Sequence, residues 1–169
     1  DLAYVLNSAR RLRRTADALE HASECARELG DLAELATLTT NLATVHGNLG
    51  HVAQAHEAAL RARALQVELG EADGPTSGVI EIHAGIYAAA LGEYGAALQA
   101  YERALASFRR GGQALWIAVC ANNLAAALID LGQFARAKQA LDYAPPPVSH
   151  VAARGATLAA RIARELGAS

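Results

Sequence analysis

A short motif recurs three times along this chain at nearly constant spacing. It consists of Leu-Gly, any residue, a hydrophobic residue, two further residues and Ala, and it begins at Leu49, Leu91 and Leu131. Its glycines are 92 − 50 = 42 and 132 − 92 = 40 residues apart. Recurrence at this period is typical of a stack of similar supersecondary units rather than of one globular core. The sequence therefore predicts a repeat array, an architecture that presents an extended surface for binding.

Each unit is predicted to be a pair of helices joined at a glycine. Asp31 and Glu34 form a capping-box pattern, after which apolar residues recur at helical spacing as far as Gly50. A second helix is expected from Val52 to a glycine cap at Gly70. The same plan predicts one domain over 1–169, with repeats at about 2–30, 31–72, 73–111 and 112–144 and a C-terminal helix at about 148–166.

The two ends of the array depart from this plan. Residues 12–29 match the second helix of the other units, but Arg10 stands where they have glycine, so a helix break is expected near Arg10. The run Pro145–Pro147 cannot continue a helix, and Ser149 is expected to cap the next one. That last helix is predicted to be a cap or the start of a fifth repeat. The chain begins within an apolar pattern and without Met, as expected of a piece of a longer protein.

Composition favours helices that pack through small side chains. Hydrophobic residues make up 53% of the chain and aromatic residues only 5%, while the net charge of −2 gives no reason to expect a nucleic-acid partner. No apolar run is long enough for a membrane span and no leader is evident, so a cytoplasmic location without a membrane partner is expected. Cys25 and Cys120 are predicted to be buried, reduced thiols.

Three columns of small side chains carry a family resemblance. They are Ala43, Gly85 and Ala125 on first helices, and Thr15, Ala55, Ala97, Ala137 and Ala22, Ala62, Ala104, Ala144 on second helices. The period alone would also fit HEAT or armadillo units. With the turn glycine and the hydrophobic residue two positions later, however, the columns resemble the tetratricopeptide (TPR) consensus. Residues 122–137 match it best and are similar to the long-helix subclass found in kinesin light chains and in sensor regions of bacterial transcription regulators and signalling ATPases.

The resemblance implies an all-α fold, a right-handed superhelical solenoid of antiparallel helix pairs whose first helices line a concave groove. It places these residues on the groove: Thr37, Thr40, Asn41, Thr44, Asn48, Val79, His83, Ile86, Val119, Asn122, Asn123, Ala126 and Asp130. Asn41, His83 and Asn123 share one repeat position. Their side chains are expected to hydrogen-bond a peptide backbone. The alternative is that they bond neighbouring helices or water, and for His83 a structural role is the more usual one.

The charge distribution narrows the class of partner. None of the 15 Lys and Arg residues lies in 31–50, 73–92 or 112–132, the three groove-lining segments. A domain that grips an acidic C-terminal tail needs cations there. An apolar or amphipathic helix is therefore favoured, with Ile86 and Val119 as contacts. Tyr87 and Trp116 would suit either such contacts or the core between helices.

The leading prediction for function is a protein-interaction module, the sensor or scaffold part of a larger regulator, with no catalysis, metal or cofactor. One alternative is a ligand-sensing regulatory domain whose groove takes a small molecule or signal peptide. Another is a structural domain that self-associates. A homodimer through the N-terminal repeat would cover its apolar start, formed by Leu2, Tyr4, Val5 and Leu6.

The absence of cations from the groove-lining segments predicts weak recognition of anions. A peptide with an acidic C-terminal tail is expected to show no measurable binding in calorimetry, even at low salt where charge screening is weakest. Micromolar binding that Asn123→Ala abolishes would contradict this interpretation.

Overall fold

The computed structural model describes residues 2–72, 74–142 and 149–167, and these ranges contain helices but no strand. The helices are α1 (Leu2–Glu28), α2 (Leu32–Asn48), α3 (Val52–Glu68), α4 (Pro75–Ala90), α5 (Tyr94–Arg110), α6 (Ala114–Asp130), α7 (Phe134–Asp142) and α8 (Ser149–Glu165). From α1 to α3, and again from α4 to α7, each helix packs mainly against its neighbours in the chain, and α8 packs on both α6 and α7. The predicted all-α helical repeat fold is confirmed.

The helices form two compact units, residues 1–73 with α1 to α3 and residues 74–169 with α4 to α8. The boundary lies in the turn between α3 and α4. Successive turn glycines at 30, 50 and 70, and again at 92, 112 and 132, are 20 residues apart, whereas 92 − 70 = 22. The glycine spacing across the boundary between the units is thus two residues longer than the other spacings. Gly74 is the N-cap of α4, which begins at Pro75. Asp73 lies outside the described residues.

The turn glycines end the helices in one common way. All have a positive φ, for example 78° at Gly50 and 71° at Gly132, a conformation in which a Cβ would crowd the backbone. The residue after each glycine donates its N–H to the carbonyl five positions earlier, as from His51 to His46 at 2.9 Å. This is the Schellman arrangement, which satisfies carbonyls that the helix end leaves free.

Small side chains lie where helices cross. Ala43, Ala125, Ala55, Ala97, Ala137, Ala62 and Ala104 are all 0% exposed. Where α4 faces the aromatic rings of α5, there is no room even for the side chain of alanine. A Cβ on Gly78 would lie 2.8 Å from the Phe108 ring, and one on Gly85 would lie 2.5 Å from the Tyr101 ring. The two glycines weaken α4 as an isolated helix, but they allow these rings to pack against its backbone.

The prediction for the start of the chain was wrong in one respect. α1 runs without a break from Leu2 to Glu28, through Arg10. No glycine or proline interrupts this segment, and its Ala, Leu and Arg residues favour helix, so nothing in it ends a helix. Thr15 of this helix is exposed, although its counterparts Ala55, Ala97 and Ala137 in the column are buried.

Other details of the sequence prediction have mixed outcomes. Asp31 caps α2 as expected, since its Oδ1 accepts the N–H of Glu34 at 3.0 Å. Cys120 is buried, but Cys25 is exposed, contrary to prediction. Cys25 lies two residues beyond buried Ser23, about 200° around α1 and hence on its outer side. Ala144 and Pro145–Pro147 lie outside the described residues.

The turn geometry predicts opposite effects for two glycine substitutions. Gly132→Ala should lower the free energy of unfolding by about 1–2 kcal/mol, because its left-handed conformation disfavours a Cβ even though no atom lies within 4 Å. Gly95→Ala, at an exposed helical position in α5 that also has open space, should leave stability unchanged or raise it by up to about 1 kcal/mol. Urea unfolding measures both. The same loss at both positions would show that the backbone conformation is not the cause.

Candidate functional site

The predicted binding residues of α2 lie on one side of that helix. Asn41 and Asn48 are exposed, as is Thr37, and Thr44 is half-buried. The opposite side carries the buried residues, among them Leu35, Leu38, Leu42 and Val45. The threonine hydroxyls donate to carbonyls of their own helix, Thr37 to Ala33 at 3.1 Å and Thr44 to Thr40 at 3.3 Å. The face therefore presents two exposed side-chain amides and, one and two heptads before them at the start of α2, the exposed carboxylate of Glu34.

The corresponding residues of α4 are more apolar. Ile86 is 38% exposed, while Val79 is half-buried and packs against the core of residues 74–169. His83 is half-buried; its ring centroid lies 6.1 Å from that of Tyr87, and its buried Nδ1 has no hydrogen-bond partner. Burial lowers the pKa of His83 below its ordinary value of 6.5. The imidazole is therefore held in its neutral form more strongly than in water.

Two predicted binding residues of α6 are used by α8 instead. The Asn122 side chain is buried and donates from Nδ2 to the Val151 carbonyl at 2.9 Å. At the end of α6, Asp130 Oδ1 lies 3.6 Å from Arg161 Nη2. For Asn122 this is the alternative role, a bond to a neighbouring helix. Sequence reasoning had no sign of it, because the partner is a backbone carbonyl 29 residues away.

The remaining residues of α6 differ in exposure. Asn123 is only 6% exposed, although Asn41 at the same repeat position is exposed. Val119 is half-buried and packs against the core. Trp116 is 38% exposed and stacks on Phe108, with ring centroids 5.6 Å apart. One side of the indole thus belongs to the core and the other is accessible, whereas Tyr87 is buried.

A buried ion pair removes the charge from the middle of α4. Glu81 is 4% exposed, and its two carboxylate oxygens accept hydrogen bonds of 2.8 and 2.9 Å from Arg103 of α5. These bonds raise the pKa of Arg103. Sequence analysis missed this pair; its only signal was a carboxylate between the apolar residues Ile80 and Ile82. Because Glu81 is neutralised within the fold, it does not give α4 a free negative charge.

Two further features of the described ranges concern metal ligands and the buried thiol. Within them, no group of three or more His, Cys, Asp or Glu side chains is placed to hold a metal ion. Cys120 donates its thiol to the Tyr101 carbonyl at 3.2 Å, and burial raises its pKa to about 12, which disfavours the reactive thiolate. Across the same ranges, no helix has the length and apolar character needed to cross a membrane.

Comparison with known proteins supports the class of fold. No family model and no curated protein matches the chain. Among solved structures, the crystal structure of BtubC (BKLC) from P. vanneervenii is similar to it, with a TM-score of 0.74 and 16% sequence identity over 98% of this chain and 82% of that chain. At this identity the likeness concerns the fold alone. The chain is an all-α helical repeat protein.

The lowered pKa of His83 predicts a pH dependence of stability. The unfolded chain takes up a proton at the ordinary pKa of 6.5, whereas folded His83 resists it, so stability is full above pH 6.5 and falls as the pH drops below that value. His83→Asn introduces the residue found at the same repeat position in Asn41 and Asn123. It should remove the part of the stability loss below pH 6.5 that comes from His83. Urea unfolding above and below pH 6.5 tests it. Parallel pH profiles for parent and variant would contradict the assignment.

Proposed function

We propose that this chain is a TPR-type protein-interaction module of a larger cytoplasmic regulator, where it acts as sensor or scaffold. Its ligand is an uncharged peptide or an amphipathic helix that contacts the first helices of the pairs. The observation that carries the proposal is electrostatic. α2, α4 and α6 contain no Lys or Arg, and the carboxylates of Glu81 and Asp130 are paired with arginines of other helices, so the exposed Glu34 leaves these helices neutral to mildly acidic.

The TPR assignment rests on the agreement of two independent features. Six of the glycines that end helices recur at intervals of 20 or 22 residues with the same left-handed conformation, and from α2 to α7 the described members of the small-residue columns are buried where the TPR consensus requires small side chains. The similar solved structure adds the fold but no partner. The proposal about the partner therefore depends on the chemistry of the exposed residues.

Each unit offers a different kind of contact to a peptide. In residues 1–73, Asn41 and Asn48 of α2 can donate to and accept from a peptide backbone. In residues 74–169 the exposed residues are apolar: Ile86 of α4, and Leu115 and Trp116 of α6. Full burial of an isoleucine side chain contributes about 1.5–3 kcal/mol to the binding free energy, and partial burial contributes about half as much. Binding of this kind changes little with salt, because no ion pairs form.

Peptide selection tests this proposal directly. A random peptide library selected on the whole chain should enrich sequences that are rich in apolar residues and poor in acidic ones. Ile86→Lys and Asn41→Lys should each weaken the selected peptides that use their unit by at least about tenfold. The matched controls Gln99→Lys and Ala64→Lys, at exposed positions of second helices, should have no effect.

Two outcomes would overturn the proposal. Selection that yields no peptide above background would mean that these faces do not bind peptides. Selected peptides whose affinity ignores both face variants, or falls as much with the controls, would place binding elsewhere. Self-association through the N-terminal end is a separate hypothesis, and Leu6 is 61% exposed there.

A further inference from the structure

A charged cleft lies in residues 1–73, on the side of α2 away from the proposed peptide-binding face. It has a volume of about 310 Å³ and is bordered by α1 and α3, with α2 as its floor. Within the described residues, α1 and α3 pack on α2 but not on each other, which leaves the space between them open. α2 contributes Thr39 and His46, while Thr37 and Asn41 are each two residues from Thr39, about 200° around the helix.

The second unit contains the same cleft at the equivalent place. A cleft of about 230 Å³ lies between α5, α6 and α7, and each of its eight lining residues is 82 positions after a residue that lines the first cleft. Four pairs even keep the residue type: Glu20 and Glu102, Arg27 and Arg109, Leu42 and Leu124, Ala58 and Ala140. The cleft as a shape is therefore a product of repeat stacking. Only its chemistry can make one of the two a ligand site.

The chemistry of the two clefts differs at their floors. The first cleft has Ser23, Thr39 and His46 where the second unit has Leu105, Ala121 and Leu128. Leu105 and Leu128 are 7% and 2% exposed, so the architecture accepts an apolar filling at these positions. In the first cleft, His46 instead has a buried Nδ1 without a hydrogen-bond partner. An unpaired buried polar atom destabilises a fold, which argues for a role beyond packing.

The second cleft also shows which residues face each other across it. Its Arg136 Nη2 lies 3.8 Å from Glu102 Oε1, so facing residues differ by 136 − 102 = 34 positions. The same register in the first cleft sets Gln54 opposite Glu20 and Arg61 opposite Arg27. His46 Nε2 lies 4.0 Å from Glu20 Oε1, at the same end as Gln54. At this register the first cleft has the carboxylate of Glu20 at one end and two guanidinium groups at the other, with Glu24 and Glu57 about one helical turn before the arginines.

The two ends differ in charge and are not neutralised by each other. Arg27 lies seven residues after Glu20 on α1, and Arg61 lies seven residues after Gln54 on α3. Seven residues correspond to about 10 Å along a helix axis. In the ranges that the structure describes, neither guanidinium has a carboxylate within ion-pair distance. Two facing guanidinium groups repel each other, and a carboxylate held between them would relieve this repulsion and accept their hydrogen bonds.

We propose that this cleft binds a zwitterionic small molecule of the length of a di- or tripeptide. Its carboxylate lies between Arg27 and Arg61, and its ammonium group lies at Glu20, with His46 and Gln54 as further partners. Two or three extended residues span about 7–10 Å, which matches the separation of the ends. Glu24 and Glu57 also line the cleft, and their charges oppose an anion that brings no positive group.

Titration of the whole chain with dialanine and trialanine tests the proposal. Calorimetry should show saturable binding of at least one of them, and N-acetylation or C-terminal amidation should weaken it by about tenfold or more, since each modification removes one charge. Glu20→Gln, Arg27→Gln and Arg61→Gln should have effects of the same size. The matched controls Glu102→Gln and Arg109→Gln, at equivalent positions of the second cleft, should have none.

Two further measurements separate this site from the peptide-binding face. Amide NMR shifts should map to α1, α2 and α3 around His46. The double variant Ser23→Leu and His46→Leu, which copies the residues of the second unit, should abolish binding while the chain stays folded by circular dichroism. If that variant unfolds, Arg61→Gln, at an exposed position, decides in its place.

Four results would overturn the proposal. They are the absence of saturable binding by both peptides, shifts confined to Thr37 and Asn41, affinity that ignores the Arg61 variant, and inorganic phosphate that binds as tightly as trialanine and ignores Glu20→Gln. The second would assign the peptides to the face proposed for protein interaction, and the last would leave only an anion site. Failure of the peptide selection described above bears on none of these results.

Discussion

The close approach of helices through small side chains is the constraint on which the rest of this structure depends. Alanine or glycine occupies the crossing points, and several of these positions have no exposed surface. A larger residue there would overpack the crossing and force the helices apart. Where α4 meets the rings of Tyr101 and Phe108, even alanine is too large. The helix spacing then leaves clefts between second helices and separate exposed faces on first helices, so both candidate sites follow from it.

The features that could be predicted from sequence are those set by local chemistry. Glycine in a left-handed turn and Asp31 as a cap act within a few residues, and their spacing reveals the repeat. Where this local signal is missing, prediction failed: Arg10 was expected to mark a break because the repeat plan required one, but no residue in α1 favours a turn. The repeat pattern thus locates helix ends only where a residue with the matching backbone preference is present.

Contacts between distant helices could not be predicted in the same way. Asn122 has the residue type and the repeat position of a binding residue, but its side-chain amide donates a hydrogen bond to α8. α8 packs on α6 and α7 as the first helix of a further repeat would. The clefts are similar: their residues come from three helices, and the facing pairs are 34 positions apart. The sequence did carry a signal for the clefts, since Glu20 and Arg27 recur 82 positions later as Glu102 and Arg109. It becomes meaningful only when the geometry shows that these positions line a cavity.

The two proposals use opposite sides of one helix, and this has a thermodynamic consequence. α2 presents Asn41 on one side and His46 on the other. A small molecule held by Glu20, Arg27 and Arg61 would join α1 to α3, which otherwise meet only through α2. Any ligand that binds the folded unit stabilises it, and if it also favours one position of α2 it must change the affinity of the opposite face by the same factor in both directions. A sensor and an interaction module are then not competing functions for residues 1–73. The cleft would supply the ligand dependence, and the peptide-binding face would supply the response that a partner protein detects.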